Sequence, residues 1–232
     1  MNYPQCHASD RLLFRRPTTA DAQAIFDGWS SDKIATQWMG WKRHESIDDT
    51  LDFIVQSDRD WEKFGTGPFV MELQSPIANR VPGLHKTENT TQGSPEDYSL
   101  ETKSIGDGRT PPVLDPVLIG CAGFKFKNPD GSITADASEL ESGTEVVELG
   151  YIFSPQYWGQ GYASETLLAM IAYARQAGFK RLVARVHGDN LASDHVLIKH
   201  GLSRPEKPLA RGSCPNLDSQ DYQQLDYELV LK

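Results

Sequence analysis

Two glycines separated by one residue mark the boundary between a strand-like and a helix-like segment of this 232-residue chain. Gly159 and Gly161 lie in the stretch SPQYWGQGYASE, which follows a β-forming run at 145–153 and opens a helical run at 162–178. A helix start presents unpaired N–H groups and the positive end of the helix dipole. Glycines before it allow φ > 0, so that several N–H groups can converge on one anion. The stretch predicts a phosphate-binding loop or, alternatively, an ordinary turn whose glycines serve packing alone.

Two common phosphate-binding patterns do not fit this loop. The dinucleotide fingerprint G-x-G-x-x-G fails because Ser164 stands at the third glycine position. It also needs an acidic residue at the end of the next strand, and that strand ends in VARVHGDN. A Walker P-loop fails because no Gly-Lys-Ser/Thr follows Gly161.

Apolar periodicity and turn residues divide the chain into strands and helices. We predict strands at 11–17, 67–73, 117–127, 145–153, 181–187 and 221–232, the last at a sheet edge, and helices at 18–29, 46–64, 162–178 and 190–201. Thr19 is predicted to cap the first helix, and Ser46 with Asp49 forms a capping box for the second. Gly178 is predicted to end the third helix. This order predicts a single mixed α/β domain over residues 1–232, with helices on both sides of a sheet.

The stretch at 75–115 differs in composition from the rest of the chain. It is rich in Pro, Gly, Ser, Thr and Asn and shows no apolar periodicity. Because structureless loops of this length are uncommon in compact domains, we predict a flexible insertion between two strands that would otherwise form a hairpin. A surface excursion and a substrate lid are its alternative roles.

Composition restricts the classes of function. A formal net charge of −9 argues against nucleic-acid binding and is compatible with amine substrates. The sequence contains neither an apolar run of the ~20 residues that a membrane span needs nor a secretory signal. Cys6, Cys121 and Cys214 form no CxxC pair, and the histidines show no metal-ligand spacing. We expect a cytoplasmic protein with no metal, no membrane and no nucleic-acid partner.

Two sequence blocks resemble a known family. Gln156, Gly159 and Gly161 match Q/R-x-x-G-x-G/A, which resembles the coenzyme A loop of the GNAT N-acetyltransferase superfamily. The downstream block at 190–202 resembles its N-x-x-S-x-x-V-L-x-K-x-G-F motif. WGQGYASE, N-x-x-S and the N-terminal RLLFRRPTTADAQAIFDGWS together resemble the RimJ/RimL ribosomal-protein-alanine acetyltransferase branch. The resemblance covers nearly the whole chain except 74–116 and the segment SRPEKPLARGSCPN.

This resemblance implies the GNAT fold, whose mostly antiparallel sheet splays apart between the fourth and fifth strands, here those predicted at 145–153 and 181–187. It implies acetyl-CoA as co-substrate, with its pyrophosphate at the glycine loop and its pantetheine arm along the fourth strand. The residues implied to bind coenzyme A are Tyr151, Ile152, Phe153, Trp158, Gly159, Gln160, Gly161, Tyr162, Ala163, Ser164, Asn190 and Ser193. For Asn190, helix capping is an alternative that can coexist with binding.

The resemblance also implies catalytic roles. Glu148 is the candidate general base, and a solvated strand residue is its alternative. Ser193 is the candidate that protonates or hydrogen-bonds the departing thiolate, with helix capping as its alternative. A backbone N–H near Ile152 or Phe153 is implied to polarise the thioester carbonyl.

The acceptor side follows the family less closely. Trp38 and Trp41 occupy the segment that lines the acceptor pocket in relatives, with aromatic core packing as the alternative. Many relatives carry an acid-acting tyrosine in the last helix, where this chain has the run Val196-Leu197-Ile198. The glutamate that the ribosomal-protein branch uses after this block is also missing, and only Glu206 is available, out of register.

The predicted function is transfer of an acetyl group from acetyl-CoA to a primary amine by direct attack. The acceptor is a protein N-terminus or a small-molecule amine, and the protein is a monomer or a homodimer. One alternative is a catalytically inactive GNAT domain that binds acyl-CoA as a sensor or scaffold. The other is a phosphate- or nucleotide-binding module without transferase chemistry.

Overall fold

The structure is a computed structural model that describes residues 6–74, 116–126, 146–205, 210–212, 214–217 and 222–231. Its strands are β1 (Cys6–Ala8), β2 (Leu12–Arg15), β3 (Phe69–Leu73), β4 (Leu118–Phe126), β5 (Val146–Phe153), β6 (Arg181–His187), β7 (Ala210–Gly212) and β8 (Tyr222–Val230). Its helices are α1 (Ala22–Ile25), α2 (Lys33–Thr36), α3 (Ile47–Phe64), α4 (Tyr162–Gln176) and α5 (Leu191–Lys199). The predicted insertion at 75–115 and Glu206 lie outside the described residues.

The described strands form one sheet in the order β1-β2-β3-β4-β5-β6-β8-β7. Neighbouring strands are antiparallel except β5 and β6, which run parallel. The mixed, mostly antiparallel sheet that the family resemblance implies is therefore confirmed. The edge position predicted for the last strand is wrong, because β7 pairs with β8 on the side away from β6. β7 has only three residues, too few for a periodic pattern.

β5 and β6 separate after a short paired stretch. Their parallel register joins only residues 146–148 to residues 181–183. On its other side, β5 stays paired with β4 along residues 147–153. The predicted splay between these two strands is therefore confirmed, and it leaves the backbone edge of residues 149–153 open towards β6.

Helices cover both faces of the sheet, as predicted. The larger apolar cluster includes Leu167, Met170 and Leu197 from α4 and α5, and we call this side of the sheet the α4 face. The second cluster includes Ile25, Trp29 and Ile54 from α1, the turn after it and α3, and we call this side the α3 face. Because side chains alternate along a strand, β5 sends Phe153 to the α4 face and Ile152 to the α3 face.

Local capping patterns predict the helix ends except at the first helix. The capping box of α3 is confirmed, with Ser46 N donating to Asp49 Oδ2 at 2.9 Å, and Gly178 follows α4 with φ 84°. The predicted cap Thr19 is wrong: Thr18 caps the segment, because the Asp21 carboxylate three residues later accepts its N–H at 2.7 Å. The first helix is also irregular, since a 3-10 turn precedes α1 and a π turn follows it.

Candidate active site

The glycine loop between β5 and α4 adopts the backbone conformation that glycines favour. Gly159 and Gly161 have φ of 73° and 82°, in the left-handed region. A Cβ at Gly159 would meet no atom within 4 Å, and one at Gly161 would meet only the Arg11 guanidinium at 3.6 Å. Close packing therefore explains neither glycine, and the turn geometry explains both.

The same loop presents a row of backbone N–H groups. Within the described residues, none of the N–H groups of residues 159–164 donates a hydrogen bond. Residues 162–164 form the first turn of α4, where a helix provides no acceptor for its N–H groups. The helix dipole adds partial positive charge at this end. The loop therefore has the donors and the charge of an anion-binding site.

A cation that the sequence did not predict lies beside this loop. Arg11 Nη1 donates to Gln160 O at 3.1 Å, and the guanidinium carbon lies 4.2 Å from the centre of the Tyr162 ring. Glu165 holds this arginine by accepting from its Nε at 2.7 Å. Arg11 thus places a guanidinium, partly balanced by the Glu165 carboxylate, next to the anion site. No local pattern predicts this contact, because 149 residues separate Arg11 from Gln160.

Backbone groups at the end of β5 face the gap left by β6. Ser154 N donates to a carbonyl of β4 at 2.9 Å, and N–H groups alternate between the two sides of a strand. The Phe153 N–H therefore points into the gap, whereas Ile152 faces Cys121 of β4 in the ladder. Trp158 Nε1 donates to Phe153 O at 3.0 Å and joins the glycine loop to the end of β5.

The start of α5 brings two hydroxyl groups close to each other. Asn190 caps the helix, and its Oδ1 accepts the Ser193 N–H at 3.2 Å, in agreement with the capping alternative. The Oη atom of Tyr151 is buried and makes no hydrogen bond within the described residues. Burial raises the pKa of Tyr151, and the neighbouring Ser193 hydroxyl lowers it without reaching hydrogen-bond geometry. Tyr151 therefore stays protonated and available as a donor.

Glu148 lies at the last pair between β5 and β6, on the α3 face. Its side chain is 14% exposed, and its Oε2 accepts from Arg185 Nε at 2.6 Å. Burial raises the pKa of Glu148 to about 7, while Lys125 opposes and Asp226 reinforces this shift. The Arg185 guanidinium favours the charged carboxylate and acts in the same direction as Lys125. A carboxylate with this pKa can accept a proton near neutral pH.

The tryptophans between α2 and α3 occupy different environments. We call residues 37–42 the tryptophan loop. Trp38 packs on His187 at the splayed end of β6, with ring centroids 4.3 Å apart. Burial lowers the pKa of His187, with Asp189 opposing, and this favours the neutral ring. Trp41 packs against the second apolar cluster and His44, so the core-packing alternative describes Trp41.

A turn near the end of the chain, missed in the sequence, holds the tryptophan loop. Asn216 Nδ2 donates to Thr36 O and Trp41 O, both at 2.8 Å, and its Oδ1 accepts the Arg43 N–H at 2.8 Å. The buried Cys214 thiol donates to a carbonyl of the same loop at 2.8 Å. Asn216 therefore joins both ends of the loop. The contact spans 180 residues to Thr36, so no local pattern could reveal it.

Replacing Asn216 by alanine should destabilise the protein. The change removes three hydrogen bonds and leaves Trp41 O and Arg43 N without their described partner, while Thr36 O still accepts from the Met39 N–H. We therefore expect a loss of about 1–3 kcal/mol in the free energy of unfolding. Urea unfolding measures this loss. Gln56→Ala is the control, because Gln56 makes an exposed side-chain hydrogen bond on α3, and its loss should stay within about 0.5 kcal/mol. Equal unfolding midpoints for the two variants would contradict a holding role for Asn216.

Two further features, a metal site and a membrane-spanning helix, can be assessed over the described residues. They contain no group of three or more His, Cys, Asp or Glu side chains arranged to hold a metal ion. No helix among them combines the length and the hydropathy that a membrane span requires.

Comparisons with known proteins agree on one protein family for this chain. A family model described as an acetyltransferase (GNAT) domain matches residues 11–203. The chain is 24% identical over 197 residues to the uncharacterized N-acetyltransferase YoaA of Bacillus subtilis, covering 84% of this chain and 81% of that protein.

Two solved structures with this fold contain coenzyme A. Spermidine N-acetyltransferase from Vibrio cholerae, in complex with CoA and spermine, aligns over 95% of each chain with a TM-score of 0.61 and 12% identity. RimL, a ribosomal L7/L12 alpha-N-protein acetyltransferase in complex with coenzyme A, aligns over 97% of each chain with a TM-score of 0.63 and 15% identity.

Proposed function

Because this chain belongs to the GNAT family of acetyltransferases, we propose that it transfers an acetyl group from acetyl-CoA to the nitrogen of a primary amine. The observation that carries this proposal is the row of N–H groups at 159–164, joined to the open backbone edge of β5. A phosphate-binding module needs only the N–H row. The open strand edge in addition suits a ligand whose diphosphate continues into a long amide-containing arm.

The residues of the site fit each part of coenzyme A. The N–H groups of residues 159–164 and the Arg11 guanidinium bind the diphosphate. The open edge of residues 149–153 pairs with the amides of the pantetheine arm in the manner of an added strand. The Phe153 N–H donates to the thioester carbonyl oxygen, where negative charge develops during acyl transfer.

Glu148 prepares the acceptor. Acetyl-CoA supplies the activated acetyl group, which passes from sulfur to the attacking amine nitrogen. Glu148 accepts the proton that this nitrogen must lose, directly or through one water. Its pKa of about 7 keeps a large fraction of the base form present at neutral pH. Holding both reactants in one cleft contributes much of the remaining rate enhancement.

Two hydroxyl groups serve the departing sulfur. Ser193 Oγ donates a hydrogen bond to the departing thiolate, and the Tyr151 hydroxyl beside it acts as a second donor, so that both stabilise the negative charge on sulfur. This pair takes the place of the acid-acting tyrosine that many relatives carry on the last helix, where this chain has Val196-Leu197-Ile198. Trp38 borders the acceptor through its contact with His187.

An amine screen tests this function. The purified protein is incubated with acetyl-CoA and, in turn, with polyamines, amino sugars, amino acids and N-terminal peptides, and free thiol release is followed. We expect acceptor-dependent thiol release and an N-acetylated product by mass spectrometry. Acetyl-CoA binding by calorimetry without transfer to any amine would favour the inactive acyl-CoA-binding alternative.

A further inference from the structure

An arginine on the α3 face lies directly beside the proposed base. On β6, Leu182, Ala184 and Val186 belong to the cluster of the α4 face, so the alternation of side chains directs Arg185 and His187 to the α3 face. Arg185 lies beyond the last residue of β6 that pairs with β5. It is therefore placed at the opening of the splay, on the side where the acceptor must approach Glu148.

Arg185 retains hydrogen-bonding capacity in the described structure. Its Nε and Nη2 both contact a single oxygen, Glu148 Oε2, at 2.6 Å. Its Nη1 makes no hydrogen bond among the described residues. The side chain is 37% exposed, so a ligand in the cleft can reach it. A guanidinium with this exposure presents a planar pair of donors that matches the two oxygens of a carboxylate.

The surroundings of Arg185 carry charges of both signs. Glu148 from β5 and Asp226 from β8 are acidic, and Lys125 from β4 adds a second cation to Arg185. Gly150, on the same face as Glu148, is exposed, and a Cβ there would meet no atom within 4 Å. The α3 face thus offers open space at Gly150, beside an acidic and a basic group that touch each other. A ligand that carries both an amine and a carboxylate suits this pattern better than a polyamine, which carries only positive charge.

We propose that Arg185 binds a carboxylate of the acceptor, and that the acceptors are amines with a carboxylate on the adjacent carbon, that is, free α-amino acids. This inference rests on the proposed acetyltransferase function. The amine must be next to the carboxylate because Arg185 and Glu148 are in direct contact. When the substrate carboxylate occupies the guanidinium, the contact between Arg185 and Glu148 weakens, and Glu148 becomes a stronger base beside the amine.

The test compares each amino acid with its own amide. Acetyl transfer is measured for the L-amino acids and for the same amino acids as primary amides, which keep the amine and the side chain but remove the negative charge. For accepted side chains, we expect kcat/KM to be roughly 10- to 100-fold higher for the acid than for the amide, as for a charge-assisted hydrogen-bond pair. Arg185→Gln should remove this preference by lowering kcat/KM for the acids, with coenzyme A affinity and melting temperature retained.

Arg181→Gln is the matched control. Arg181 lies on the same strand and the same face and pairs with Glu228 at 3.6 Å, away from the splay. This variant should keep the acid-to-amide ratio of the native protein. Equal kcat/KM values for acids and amides, or an unchanged acid-to-amide ratio in Arg185→Gln, would overturn this inference. Neither result would contradict the proposed acetyltransferase function. Transfer to no amine at all would overturn the proposed function and the inference with it.

Discussion

Gly161→Asp is expected to weaken coenzyme A binding by at least roughly 100-fold, because like charges brought together in a binding site cost several kcal/mol. The added carboxylate would lie at the N-terminal cap of α4, among the N–H groups at 159–164 that we propose to hold the diphosphate. It would both repel the phosphates and occupy their donors. Isothermal titration calorimetry with coenzyme A measures the change.

The fold should tolerate this substitution. A Cβ at Gly161 meets only the Arg11 guanidinium at 3.6 Å, and Asp is among the residues that adopt the left-handed conformation and favour helix caps. Gly161→Asn is the matched control, since it has the same size and backbone preference without the charge. We expect Asn to retain most of the affinity. Similar coenzyme A affinities for the Asp and Asn variants would contradict the binding of the phosphates at this loop.

The second large effect is expected at the base. Glu148→Gln keeps the size of the side chain and removes the proton acceptor, so kcat should fall by about 10²–10⁴-fold. The affinity for coenzyme A should stay the same, because Glu148 lies on the α3 face and not on the glycine loop. Stopped-flow or steady-state thiol release, combined with calorimetry, separates these two quantities.

The pH profile distinguishes a base from a structural carboxylate. Burial raises the pKa of Glu148 to about 7, and only the deprotonated form accepts a proton. The kcat/KM of the native protein should therefore fall as the pH drops through about 7, and Glu148→Gln should lose this dependence. Glu72→Gln is the control, because Glu72 accepts from Arg15 at 2.9 Å in a comparable ion pair far from the splay. If kcat/KM of Glu148→Gln falls with decreasing pH as it does in the native protein, a group other than Glu148 is responsible for the pH dependence.

The acceptor side depends on residues beyond the family match. The match to the GNAT family ends at residue 203. Asn216 and Cys214, which hold the tryptophan loop by hydrogen bonds, lie beyond that residue. Asp226, which reinforces the pKa shift of Glu148, also lies beyond that limit. The tryptophan loop and the proposed base, which lie inside the family match, are therefore supported by residues that lie outside it.

Local features were predictable because they depend on neighbouring residues. The left-handed glycines of the loop, the Ser46–Asp49 capping box and the Gly178 stop each follow from backbone conformations and hydrogen bonds within a few residues. Apolar periodicity likewise predicted the longer strands and helices, whereas it did not predict β1, β7 and α2, which have only three or four residues. The splay between the fourth and fifth strands came from family resemblance, not from any pattern within the strands.

The amino-acid sequence alone thus determined the longer strands and helices, the glycine loop and the order in which they follow one another. The tertiary structure decided which groups meet: Arg11 beside Gln160, Arg185 on Glu148, Asn216 across the tryptophan loop, and β7 against β8. The first three of these contacts join residues that are 149, 37 and 175 positions apart. A sequence pattern records only preferences of nearby backbone, whereas distant side chains meet only once the sheet has been assembled.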